Sequence, residues 1–146
     1  REPRPLPARP GQVMREVFAD TFFYLALVSR DDAFHQRAVR AAADLRGRVI
    51  TTAWVLTEVA DALCSPAQRP IFLSLMDHLR GDEKVTIVSP TLEWFDRGLE
   101  LYAERPDKDW SLTDCISFLV MEHHGLTEAL TADHHFEQAG FKALLK

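Results

Sequence analysis

The chain has 146 residues, 47% hydrophobic and 27% charged, with a formal net charge of −5. That length suits one domain with a substantial core, and no apolar run approaches the ~20 residues that span a bilayer. No secretory signal is expected from the polar N-terminus, and the acidic balance speaks against a generic nucleic-acid binder with a basic footprint, unless bound cations invert the potential at an acidic site.

Residues 1–13 carry Pro3, Pro5, Pro7, Pro10 and Gly11, a composition that disfavours helix and central strand. They read as a flexible Pro-rich extension, with the domain occupying 14–146 and Met14 as its natural start. Val17–Ala19 predicts the first strand, Phe22–Val28 a helix, and Ala33–Leu45 a second helix with Phe34, Ala38, Ala41, Ala42 and Leu45 on one face. Gly47 reads as the stop of that helix. Val49–Thr51 predicts a strand and Trp54–Leu63 a helix with Val55, Leu56, Val59 and Leu63 as its apolar stripe, ended by Ser65-Pro66. Ile71–Leu79 predicts a helix closed by Gly81, and the β-branched Val85–Val88 a strand.

Leu92–Ala103 follows as a helix with Leu92, Phe95, Leu99 and Tyr102 at helical spacing. Leu112–His124 is apolar nearly all round in its middle and therefore predicts a buried helix, stopped by Gly125. Glu128–Leu130, Asp133–Gln138 and Phe141–Leu144 predict a strand, a short helix stopped by Gly140, and a terminal strand. Strands alternating with helices imply an α/β fold with a parallel sheet covered on both faces. Cys64 and Cys115 form no CxxC pair and no zinc spacing, and both read as buried, reduced thiols of a cytoplasmic protein.

Four carboxylates stand where strands give way to helices or helices begin: Asp20, Glu58, Asp114 and Asp133. Right-handed crossovers gather such positions at one sheet edge, outside the carboxyl ends of the strands. Carboxylates crowded without a basic partner repel one another, and a hard divalent ion such as Mg²⁺ or Mn²⁺ relieves that repulsion. The pattern points to metal-assisted phosphodiester cleavage. Each acid also has a purely structural reading. Asp20 could cap the helix after it, although Thr21 could do the same. Glu58 falls just outside the Val55/Val59/Leu63 arc, at the border of a cleft, whereas Asp61 points further away. Ser111-Leu112-Thr113-Asp114 fits a capping box, which suffices to explain Asp114 structurally. Asp133 could cap the last short helix and ranks below Asp20 and Asp114 as a direct ligand; Thr131 offers a hydroxyl beside it.

His123-His124 and His134-His135 are adjacent pairs without the i,i+4 spacing of a helical zinc site, and read as structural, with His134 and His135 near enough to Asp133 to touch substrate. Lys108 on the loop before Ser111 is a candidate phosphate contact against a solvated-loop default. Trp54, Trp94 and Trp110 read as core or rim aromatics. There is no Gly-rich phosphate loop, GxSxG elbow or Walker lysine.

From Val17 to Leu145 the chain resembles the PIN-domain family, including the toxin ribonucleases of VapBC toxin–antitoxin pairs. The resemblance rests on Phe18-Ala19-Asp20-Thr21, Thr57-Glu58-Val59, Trp110-Ser111-Leu112-Thr113-Asp114-Cys115 and Thr131-Ala132-Asp133-His134-His135-Phe136, in that order and spacing, with Gly140-Phe141 near the end. It implies a three-layer α/β/α sandwich with a central parallel sheet and a Mg²⁺- or Mn²⁺-dependent ribonuclease. Asp20, Glu58 and Asp114 match the core acids and Asp133 the more variable fourth. A metal held by Asp20 and Asp114 would activate water and polarise the scissile phosphate, with Glu58 orienting that water or completing the metal shell. An antitoxin partner and a homodimer are also implied. Two other doubly wound folds fit poorly: a receiver domain wants an acidic pair after its first strand and an Asp after a central one, and a haloacid-dehalogenase phosphatase wants Asp-x-Asp where this chain has Asp20-Thr21-Phe22. A non-catalytic PIN-fold RNA-binding or scaffolding module is the alternative that keeps the fold.

Overall fold

A computed structural model describes residues 15–146. The expected Pro-rich extension and the start at Met14 lie outside the described residues. The elements are β1 (Arg15–Ala19), α1 (Thr21–Val28), α2 (His35–Asp44), β2 (Gly47–Thr52), α3 (Ala53–Ala62), α4 (Arg69–Gly81), β3 (Val85–Val88), α5 (Leu92–Glu104), α6 (Leu112–His123), β4 (Glu128–Leu130), α7 (His134–Gln138) and β5 (Lys142–Ala143).

All five strands run parallel in the order β3-β2-β1-β4-β5. From β1 the chain steps outward through β2 to β3, then returns to lay β4 on the other side of β1. Right-handed crossovers in opposite directions put the two groups of helices on opposite faces. The result is the expected α/β/α sandwich. Val17, Phe18 and Ala19 of the central strand are all buried, as a strand covered on both sides requires.

The α6 helix is the interior helix its composition predicts: Cys115, Ile116, Ser117, Phe118, Val120 and Met121 are buried along it. It packs against α5 through Gly98, where an added Cβ would lie 2.3 Å from Ile116 Cγ1. That close approach selects which face of α5 turns inward. Leu92, Phe95, Leu99 and Tyr102, although at helical spacing, lie on the outer side and are exposed. Trp94 and Leu101 pack against the core instead.

Three smaller expectations are corrected. Gly47 does not stop α2, whose C-cap is Leu45; it opens β2 at φ +150. Cys64 is exposed, because α3 ends at Ala62 and the thiol falls in the turn toward α4, while Cys115 is buried. The terminal strand shrinks from Phe141–Leu144 to the two residues of β5, paired only to β4 at the sheet edge.

Gly47 has a steric task. It pairs with Arg15 across the β1–β2 ladder, and a Cβ there would sit 1.7 Å from the Arg15 carbonyl oxygen. Backbone cannot swing aside as a side chain can. Gly47→Ala is therefore expected to cost about 2–3 kcal/mol, combining an unfavourable φ with a forced strand shift. A urea titration that leaves the midpoint unmoved would rule out this role.

Candidate active site

The topology reverses between β1 and β4, and the crevice outside their carboxyl ends is where an open α/β sheet binds ligands. Asp20 ends β1 there. It occupies the N-cap position of α1 with extended backbone, yet its side chain makes no capping bond. Its carbonyl oxygen accepts from Phe23 N–H at 3.1 Å, so the cap is served by backbone and the carboxylate remains available. Across the crevice, Thr131 at the end of β4 donates its hydroxyl to Asp20 Oδ2 at 3.2 Å. The same Thr131 oxygen accepts from Asp133 N–H at 3.0 Å, tying the first and fourth acids together.

Glu58 comes from α3, which starts directly after β2 with Thr52 as N-cap. The Thr21 hydroxyl donates to Glu58 Oε1 at 2.6 Å. Thr21 is thus not a cap but the first helical residue of α1, and it holds a carboxylate from the neighbouring helix beside Asp20. Asp61, on the same helix, is exposed.

Asp114 enters from the first turn of α6. The capping box is complete: Asp114 N–H donates to Ser111 Oγ at 3.0 Å, and Ser111 N–H donates to Asp114 Oδ2 at 3.1 Å. The structural role predicted for this residue is therefore real, and the box also fixes the carboxylate. Asp133 caps α7, accepting from His135 N–H at 2.9 Å. His135 then turns its ring inward, placing Nδ1 3.2 Å from Asp114 Oδ2 and 3.4 Å from Asp133 Oδ1.

The electrostatics follow from this crowding. Asp20 and Asp114 are only 4% and 8% exposed. Burial, reinforced by the charge of Asp114 and, more weakly, Asp133, pushes the Asp20 carboxyl up to about 7 despite hydrogen bonds from Thr21 and Thr131. Burial also raises Glu58, with the Thr21 hydroxyl opposing it and the Asp114 charge adding to it. Asp114 is raised by burial and by Asp133, against the Ser111 N–H and His135. Among the described residues no Lys or Arg forms an ion pair with any of the four.

Two of these neighbours have roles that local sequence does not reveal. Thr21 was legible only as a cap, because its reach to Glu58 depends on α1 and α3 lying side by side. His135, expected near Asp133 as a candidate substrate contact, also meets Asp114, because β4 delivers α7 next to the start of α6. Other aromatic and basic candidates have structural tasks or none at the site. Trp110 is buried and its indole N–H donates to Gln138 Oε1 at 3.1 Å, which removes it as a stacking platform. Trp54 and Trp94 are partly buried against the core, and Lys108 is half-buried in its loop.

Comparison with known proteins gives a consistent picture. A family model described as the PIN domain matches residues 17–142. The 23S rRNA-specific endonuclease VapC20 of Mycobacterium tuberculosis, known from strains CDC 1551 / Oshkosh and ATCC 25618 / H37Rv, is 30% identical over 128 residues, covering 86% of this chain and 95% of the relative. Among solved structures, VapC20 of M. tuberculosis, described as a Sarcin-Ricin loop cleaving toxin, superposes with a TM-score of 0.79 at 27% identity, covering 86% of this chain and 95% of its own. FitAcB from Neisseria gonorrhoeae superposes at a TM-score of 0.60 and 15% identity over 87% and 95% of the two chains, a likeness of fold.

Proposed function

The chain belongs to the PIN-domain family, and on that basis we propose that it is a divalent-metal-dependent endoribonuclease whose ion is held by Asp20, Glu58, Asp114 and Asp133. One observation carries the metal: Asp20 is a buried carboxylate pushed up to about 7 by burial and by other carboxylates, with no Lys or Arg forming an ion pair with it among the described residues. Oxygen donors alone, held by surrounding hydroxyls and N–H groups, fit the hard ions Mg²⁺ and Mn²⁺. Bound there, the ion supplies Lewis-acid polarisation of a phosphate oxygen and acidifies water.

The chain's own residues do the rest. Thr131 and Thr21 orient Asp20 and Glu58, so these carboxylates need no reorganisation when substrate arrives. Glu58, half-buried, would orient the attacking water. Ser111 and His135 hold Asp114. Asp133 is more exposed than Asp20 and Asp114 and would be the acid nearest to incoming substrate.

The relatives supply the substrate class: 23S rRNA is the RNA to test, and toxin action on ribosomal RNA is the biological role we favour. A small antitoxin and a second copy of the chain are the proposed protein partners; the exposed apolar residues of α4 and α5 are surface such partners would cover. A cytoplasmic location completes the reading. Among the described residues no helix is long and apolar enough to cross a membrane.

Purified protein incubated with 23S rRNA is expected to produce discrete fragments with Mg²⁺ or Mn²⁺ and none with excess chelator. Equal cleavage in chelator would overturn the metal dependence. Binding of rRNA without cleavage under either ion would favour the RNA-binding or scaffolding module instead.

A further inference from the structure

A second donor set borders the acidic crevice, and its chemistry differs. Asp133, His134 and His135 each offer one ligand atom, and the three atoms lie within 4.8 Å of one another. Asp133 Oδ1 is 3.6 Å from His134 Nδ1 and 3.4 Å from His135 Nδ1. An ion with tetrahedral bonds of about 2.0–2.1 Å has ligand-to-ligand edges of about 3.4 Å. An octahedral Mg²⁺ with similar bonds has edges of about 3 Å and takes oxygen, not imidazole.

The set is held in place. His135 N–H fixes Asp133 Oδ1 at 2.9 Å, which leaves that carboxylate with capacity for an ion. The imidazoles of His134 and His135 lie with centroids 4.4 Å apart, so both rings converge on the same side of the chain. His135 Nδ1 lies 3.2 Å from Asp114 Oδ2, so an ion taking that nitrogen would replace this hydrogen bond and release the ring proton to solvent. His134 is 65% exposed at its side chain, so an ion has an open path in.

We propose that Asp133, His134 and His135 form a site for a borderline transition ion of the zinc class, distinct in preference from the oxygen-only ion of the crevice but sharing Asp133 with it. This rests on the nuclease reading only through that shared acid. A zinc-class ion there would occupy Asp133 and draw His135 toward itself, making zinc a competitor of the Mg²⁺- or Mn²⁺-loaded state.

Co²⁺ alone is the probe, because its visible absorption reports tetrahedral coordination. Titrated into the full chain, Co²⁺ is expected to bind at one equivalent, to be displaced by Zn²⁺ and to resist a large excess of Mg²⁺. His134→Ala, an exposed substitution that leaves the fold alone, and His135→Ala are each expected to weaken Co²⁺ at least tenfold. Asp20→Asn is expected to retain the absorption while losing RNA cleavage. Unchanged Co²⁺ affinity in both histidine variants overturns the proposal. So does loss of the absorption in Asp20→Asn, which would put the ion among the carboxylates and leave the nuclease reading intact. Conversely, wild-type protein that binds Co²⁺ as described but cuts no RNA with any ion would sink the nuclease reading and leave this site standing.

Discussion

Asp20→Asn and Asp114→Asn are each expected to lower RNA cleavage by about 10²–10⁴-fold while the protein stays folded. The size follows from the several kcal/mol of transition-state stabilisation that a correctly held ion supplies, at about 1.4 kcal/mol per factor of ten. The fold survives because asparagine keeps the acceptor each position needs. At 20 it still accepts from the Thr131 hydroxyl. At 114 it still accepts from Ser111 N–H, and the Ser111 side of the capping box is untouched. Single-turnover cleavage of 23S rRNA, with circular dichroism as the control for folding, measures this. Wild-type rates in both variants would remove these acids from the mechanism.

The metal-free protein should be more stable, not less, when Asp20 is replaced by Asn. An aspartate free in water has a pKa of 3.8, and burial with the neighbouring carboxylates pushes this one up to about 7 in the fold. Between those values the native state holds a proton that the unfolded chain has released. Stability contributed by this residue is therefore fullest below pH ~4 and is lost as pH rises to about 7, the reverse of a salt-bridged aspartate. Across the whole window the loss is on the order of 4 kcal/mol. Between pH 5 and pH 8 wild type should lose roughly 2–3 kcal/mol relative to Asp20→Asn, as measured by urea unfolding in chelator. Glu58 and Asp114 are shifted in the same direction and steepen the wild-type dependence. Mn²⁺ should narrow the difference at pH 8, since an ion that binds only the folded carboxylate stabilises it by mass action. Parallel pH profiles for the two proteins would mean that Asp20 carries no burial strain. A site that costs stability in its empty form is common where function demands buried like charges.

Much of this architecture was legible because it depends on local rules. Short apolar runs marked the strands, with β-branched residues adding to the signal at Val85–Val88, the Ser111-x-x-Asp114 spacing marked a helix start, and the all-round apolar middle of α6 marked an interior helix. The ends of strands located Asp20 and Asp133 relative to the sheet, since in a parallel fold those ends share an edge. What escaped depends on contacts between elements distant in sequence. Gly47 looked like a helix stop because its real constraint is the Arg15 carbonyl on the neighbouring strand. The Leu92/Phe95/Leu99/Tyr102 stripe had core-like spacing, but Gly98 allowed the opposite face of α5 to approach Ile116. Cys64 lost its helical surroundings because α3 ended two residues earlier. His135 is the most consequential of these. Its pairing with Asp114 spans 21 positions and exists only once α6 and α7 are packed together.

Everything proposed for the crevice between β1 and β4 depends on its carboxylates sharing a divalent ion. Crystals soaked in Mn²⁺ and measured for anomalous scattering test this without reference to any RNA. The expected map has a manganese peak within direct coordination distance of oxygens from both Asp20 and Asp114. A well-ordered crevice with no peak between those two side chains at saturating Mn²⁺ would refute the shared ion.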